Sequence, residues 1–123
     1  MDVHIMFTKI IGDYLISNIE LIRITNNYGF NPFEKIRQHI EGEIIPKYDC
    51  LKTVHISYED ECGFPAIEFY IRYNVKLSFE EESKLWKKVV GDIRSYCESN
   101  GLYTAYSKCC FFVTISGDAF ESK

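Results

Sequence analysis

The apolar positions between Ser78 and Gly101 repeat at helical spacing, with Leu85, Trp86, Val89, Val90, Ile93, Tyr96 and Cys97 on one stripe. Ser78 is a natural N-cap and Glu81 follows three residues later, so each side chain can satisfy a backbone N–H that the helix start would orphan. Asn100-Gly101 supplies the left-handed stop. A second helix is predicted from Asn31-Pro32, where Asn caps, Pro takes the first helical position and Glu34 completes an Asn-x-x-Glu box. Its buried stripe is Phe33, Ile36, Ile40 and Ile44, and Pro46 ends it. Gly42 weakens the last turn by about 1 kcal/mol.

Between these helices the pattern changes to period two. Val54, Ile56 and Tyr58 alternate with His55, Ser57 and Glu59, and Ile67, Phe69, Ile71 and Tyr73 alternate with Glu68, Tyr70 and Arg72. The connection from Asp60 to Pro65 has the acidic, Gly and Pro content of a turn, so the two runs are predicted to pair as a hairpin. Cys109 to Ser116 reads as a last strand with Phe111, Val113 and Ile115 on one face and Cys110 and Phe112 on the other. Ile19 to Thr25 is dense in β-branched residues, ends at Asn26-Asn27-Tyr28-Gly29, and also reads as a strand.

The predicted order is strand, helix, strand, strand, helix, strand. That is an α+β chain of the ferredoxin-like split βαβ type (β-α-β-β-α-β), with two helices on one face of a four-stranded antiparallel sheet and the other face open. No repeat or linker interrupts the 123 residues, so one domain is expected, with a core over 19–116 and an N-terminal extension over 1–16. Within that extension, spacing fits a helix and a strand equally well.

Composition adds exclusions. Apolar residues make up 46% with nine Phe and nine Tyr, which is incompatible with intrinsic disorder. The net charge of −4 gives no global attraction to nucleic acid or to an anionic membrane. The nearest basic cluster, Lys84, Lys87 and Lys88, lies on the polar side of its helix and reads as a solvated face. Met1-Asp2-Val3-His4 carries no basic leader, and no apolar run approaches the ~20 residues of a membrane span, so a soluble cytoplasmic protein is expected. Five cysteines at irregular spacing do not form an extracellular disulfide framework, and reduced thiols are expected.

Gly63-Phe64-Pro65-Ala66-Ile67-Glu68-Phe69 resembles the third-strand pattern of an RNA-recognition motif. It departs where bases would stack: Cys62 replaces the basic residue and Ala66 a ring, and Ile19 to Ile24 offers no aromatic platform. Nucleic acid is therefore not an expected partner. No Cys-x-x-Cys or paired histidine spacing is present, adjacent Cys109 and Cys110 point to opposite strand faces, and no metal or other cofactor is expected. Cys62 and Cys110 are the candidates for exposed thiol chemistry. Glu80-Glu81-Glu82 complements a helix dipole, while Glu59-Asp60-Glu61 is an acidic turn.

The candidate ligand-binding group is His55, Glu68, Tyr70 and Arg72, which the alternation places on the polar faces of neighbouring strands. The candidate interface is Ile19, Leu21, Cys110 and Phe112, because apolar residues on the open sheet face call for a cover, either the segment from Val3 to Ile16 or a second chain. The leading expectation is a non-enzymatic interaction domain that associates with itself. Two alternatives stand beside it: a small-molecule-binding domain or enzyme with its pocket on that face, and an acidic, immunity-type inhibitor of a basic protein.

Overall fold

In the computed structural model, residues 15–59 and 65–115 are described. In chain order they form helices α1 (Leu15–Tyr28) and α2 (Pro32–His39), strands β1 (Leu51–Glu59) and β2 (Pro65–Tyr73), helix α3 (Phe79–Ser99), the single turn α4 (Tyr103–Tyr106) and strand β3 (Cys109–Ile115). The chain is mixed α+β.

Helix α3 follows its predicted signals closely. Ser78 Oγ accepts from the Glu81 N–H at 3.1 Å, and Glu81 Oε1 accepts from the Ser78 N–H at 3.0 Å. At the other end Gly101 adopts φ +70°, and the Leu102 N–H returns to the Cys97 carbonyl at 2.8 Å. That bond is the signature of a Schellman stop, and buried Leu102 supplies its hydrophobic contact.

Helix α2 also starts as expected. The Asn31 side chain accepts from the N–H groups of Phe33 and Glu34. Glu34 turns instead to Arg37, which also reaches Glu41. Beyond His39 the helix widens into a π turn over Ile40–Ile44, where Gly42 sits, and then tightens into a 3-10 turn over Ile45–Lys47. Phe33, Ile36, Ile40 and Ile44 are all buried, as their spacing requires.

The sheet has the order β1-β2-β3. β1 and β2 pair antiparallel, with Val54 opposite Ile71 and Ile56 opposite Phe69, as the alternation predicts. β2 and β3 pair parallel, which demands a crossover, and α3 provides it. Ile67, Phe69, Ile71, Tyr73, Phe111 and Val113 turn toward the helices and form one core with Phe33, Ile36, Ile40, Val89, Ile93 and Cys97. Asn31 at the start of α2 bonds to Tyr58 of β1, and Tyr73 of β2 bonds to Glu82 of α3. Both helices therefore pack on the same face of the sheet.

One element departs from the sequence reading and changes the architecture. Residues 19–25 belong to helix α1 and not to a strand, so the described sheet is three-stranded and mixed where a four-stranded antiparallel sheet of ferredoxin-like order was expected. The reason is visible in the spacing. Leu21, Ile24, Thr25 and Tyr28 stand at i, i+3, i+4 and i+7, and Ile24 and Thr25 are buried. The β-branched content pointed to a strand, but tertiary burial of Ile24 and Thr25 outweighs a propensity worth tenths of a kcal/mol per residue. Gly29, with φ +73°, is then the left-handed stop of a helix. The extension over 1–16 lies outside the described residues apart from Leu15 and Ile16, which are helical.

Candidate functional site

Because the odd-numbered residues of β2 face the helices, Glu68, Tyr70 and Arg72 face the other way. The register then sets their neighbours. His55 pairs with Tyr70 across β1 and β2, and Tyr70 pairs with Phe112 across β2 and β3. The His55 and Tyr70 rings stack with centroids 5.1 Å apart at 15°, and those of Tyr70 and Phe112 stack at 5.2 Å and 15°. Each strand thus contributes one ring to a row that crosses the face turned away from α2 and α3, which no described helix covers.

Two rows of polar side chains flank the rings. Ser57, Glu68 and Cys110 lie on one side, and Thr53, Arg72 and Thr114 on the other. The Tyr70 hydroxyl donates to Glu68 Oε1 at 3.2 Å, and Glu68 is only 8% exposed. An enclosed carboxylate needs hydrogen-bond partners, and within the sheet the phenol is one of them. Arg72 forms no ion pair with an acid of the described residues. Phe112 is 41% exposed, which is high for a large ring on a sheet.

The four candidate ligand groups, His55, Glu68, Tyr70 and Arg72, therefore do share one face. They lie on the face of the sheet turned away from α2 and α3. An open cleft of about 290 Å³ lies elsewhere, between the end of α1 and the stop of α3, lined by Ile24, Asn27, Tyr28, Gly101 and Thr104. His55 stacks on a ring while Glu68 bonds to a phenol, so the base and carboxylate are not joined as a general-base pair requires.

Of the interface candidates, Cys110 and Phe112 lie on the open face. Ile19 and Leu21 belong to helix α1 rather than to a strand. Their side chains lie outside the described part.

The cysteines divide by burial. Burial pushes the Cys97 thiol up to about 12, and it pushes Cys109 up as well, with Cys97 and Cys110 adding to the effect. Cys109 donates to the Ala105 carbonyl at 3.2 Å. Cys110, one residue on, is exposed on the opposite face. Cys62 lies outside the described residues, as do Gly63 and Phe64 of the RNA-motif-like stretch; Phe69, its last ring, is buried against the helices and does not reach the open face. Among the described residues no group of three or more His, Cys, Asp or Glu side chains could hold a metal ion, and no helix is long and apolar enough to cross a membrane.

Sequence spacing gave no sign of a second polar cluster, on the helical side. His39 of α2 stacks on Tyr96 of α3 with centroids 3.6 Å apart at 8°. One turn away, Asp92 accepts from the Tyr48 hydroxyl at 2.7 Å and from Lys47 Nζ at 3.0 Å. Burial is the largest influence on His39 and holds its pKa below the ordinary value, against the pull of Glu43 and Asp92. These contacts tie α3 to the segment after α2.

Comparison with protein-family models, curated proteins and solved structures finds no match for this chain. Its function has to be argued from the geometry alone.

Proposed function

We propose that the protein is a non-enzymatic interaction module whose working surface is the open face of the sheet, and that it associates with a second copy of itself. The observation that carries this reading is the ring row His55, Tyr70 and Phe112, stacked across all three strands with Phe112 41% exposed. Rings held in register lose little side-chain freedom on binding and offer a large apolar area, which is why aromatic residues concentrate at interface centres.

Enzyme chemistry and small-molecule capture gain less support, since the base His55 stacks on a ring and the carboxylate Glu68 bonds to a phenol, so the two are not coupled. Nucleic acid is disfavoured for a separate reason. Stacked bases bring a phosphate chain that needs a basic groove, and this chain carries a net charge of −4.

Burial of apolar surface contributes about 25 cal/mol per Å², so a contact of standard size, about 800 Å² per partner, offsets the entropy of association when its centre is well packed. The test is the mass of the wild type and of Phe112→Glu by light scattering at tens of micromolar, with circular dichroism to verify folding. A multiple of 14.4 kDa for the wild type and a folded 14.4 kDa variant are expected. A monomeric wild type overturns the reading.

A further inference from the structure

The two edges of the sheet are built differently. Strand β1 carries Lys52 and Glu59, and its pairing with β2 is irregular between Leu51 and Thr53 and between Ser57 and Glu59. Charge and irregular pairing are usual protections of a sheet edge. β3 has neither: its seven residues, Cys109 to Ile115, include no charge and no proline, and they pair with β2 without a shift. From this contrast we infer that the edge of β3 pairs antiparallel with β3 of a second copy, about a two-fold axis perpendicular to the sheet at Phe112. The inference rests on the self-association proposed above and supplies its geometry.

Phe112 is the middle residue of β3, so this register pairs the whole strand with its copy. Phe112 meets Phe112, Phe111 meets Val113, Cys110 meets Thr114 and Cys109 meets Ile115, each pair after the first occurring twice by symmetry. Opposite residues of an antiparallel pair point to the same face. Phe111 and Val113 would therefore continue the helix-facing core across the axis, while the two Phe112 rings would join the ring rows of both sheets into one line. A shift by two residues leaves two residues of each strand unpaired and separates those rings. The Phe111 carbonyl already accepts from Trp86, and its second lone pair remains for a strand.

The helical layer accommodates the same axis. Helix α3 bonds to β2 through Glu82 and Tyr73 and to β3 through Trp86 and Phe111, so it lies over both strands. Two such helices related by the axis stand about two strand spacings apart, an ordinary distance between packed helices. Phe79 and Trp86 lie two turns apart on one side of α3, and they are 87% and 42% exposed. Trp86 turns that side toward β3, so α3 of the second copy would cover both rings. The unprotected strand edge and the exposed rings of the helix thus share one partner.

Thr114→Cys tests the register through native Cys110. Directly opposite residues of antiparallel strands have Cα atoms about 5 Å apart, within the span of a disulfide. Within one chain, position 114 lies four strand residues from Cys110, about 13 Å away, and the two cannot join. With oxidised glutathione as oxidant, Thr114→Cys should give at least about tenfold more covalent dimer than the wild type, with the bond mapped between positions 110 and 114. Sheets stacked face to face stand about 10 Å apart and do not allow that bond. Amide exchange in the unmodified wild type is the second measurement: alternate amides of β3 should slow as the protein concentration rises, with β1 unchanged.

If the wild type is monomeric by light scattering, the self-association reading falls and this geometry with it. If the wild type is oligomeric, but its β3 amides exchange equally at every concentration or a folded Thr114→Cys forms no bond between positions 110 and 114, the copies meet elsewhere. Self-association then stands and the edge pairing is wrong.

Discussion

Trp86 Nε1 donates to the backbone carbonyl of Phe111 at 2.9 Å, joining the middle of α3 to β3 across 25 positions of sequence. Among the described residues β3 has a sheet neighbour on one side only, and an edge strand is the part of a sheet most exposed to unwanted pairing. The indole anchors that strand from the helix that delivers it. Trp86 is 42% exposed, so more than half of the ring is covered and its packing adds to this bond.

Trp86→Phe keeps most of the ring packing and removes the donor. It should lower stability by about 1 kcal/mol, the usual net value of one hydrogen bond. Urea unfolding monitored by far-UV circular dichroism would show the shift in midpoint, with amide exchange in β3 accelerating more than in β1.

At the stop of α3, Gly101 adopts φ +70° in a position where an added Cβ would meet no neighbour. Gly101→Ala therefore isolates the backbone strain of the left-handed region. A loss of about 1 kcal/mol is expected from thermal or chemical denaturation, and an unchanged midpoint would remove the Schellman account of this stop.

His39 gives a pH dependence whose sign follows from its burial. Its folded-state pKa lies below the usual value of 6.5, so the unfolded chain binds the proton first as the pH falls. The stabilising contribution of the neutral ring is complete above 6.5, begins to be lost as the pH drops through that value, and stops changing below the lowered folded pKa. His39→Phe preserves a ring against Tyr96 and should flatten the stability curve in that window, as measured by urea midpoints at closely spaced pH values.

Much of this fold was legible in the sequence, and what was missed has a physical reason. The Ser78 capping box, the Asn31 cap, the hairpin register and the stripes of α2 and α3 are local signals, each set by neighbours a few residues apart. Residues 19–25 carry two patterns at once, β-branched density and an i, i+3, i+4, i+7 stripe, and only packing decides between them. The parallel pairing of β2 with β3 is a long-range fact that no local motif announces. At the open face, alternation placed His55, Glu68, Tyr70 and Arg72 on one side correctly. It could not show that Tyr70 would lie between His55 and Phe112, because that row depends on which strand pairs with which.

Cys110 reports most directly on whether a second copy covers the open face. It is exposed there in the single chain and stands in register with Glu68, one row from the rings. Native alkylation followed by peptide mass mapping, repeated from high to low protein concentration, reads its accessibility. The account predicts that Cys110 of the wild type is protected at high concentration and released on dilution. In Phe112→Glu it should react at one fast rate throughout, while Cys97 and Cys109 stay protected in both. Equal Cys110 rates at every concentration in the wild type would contradict the account.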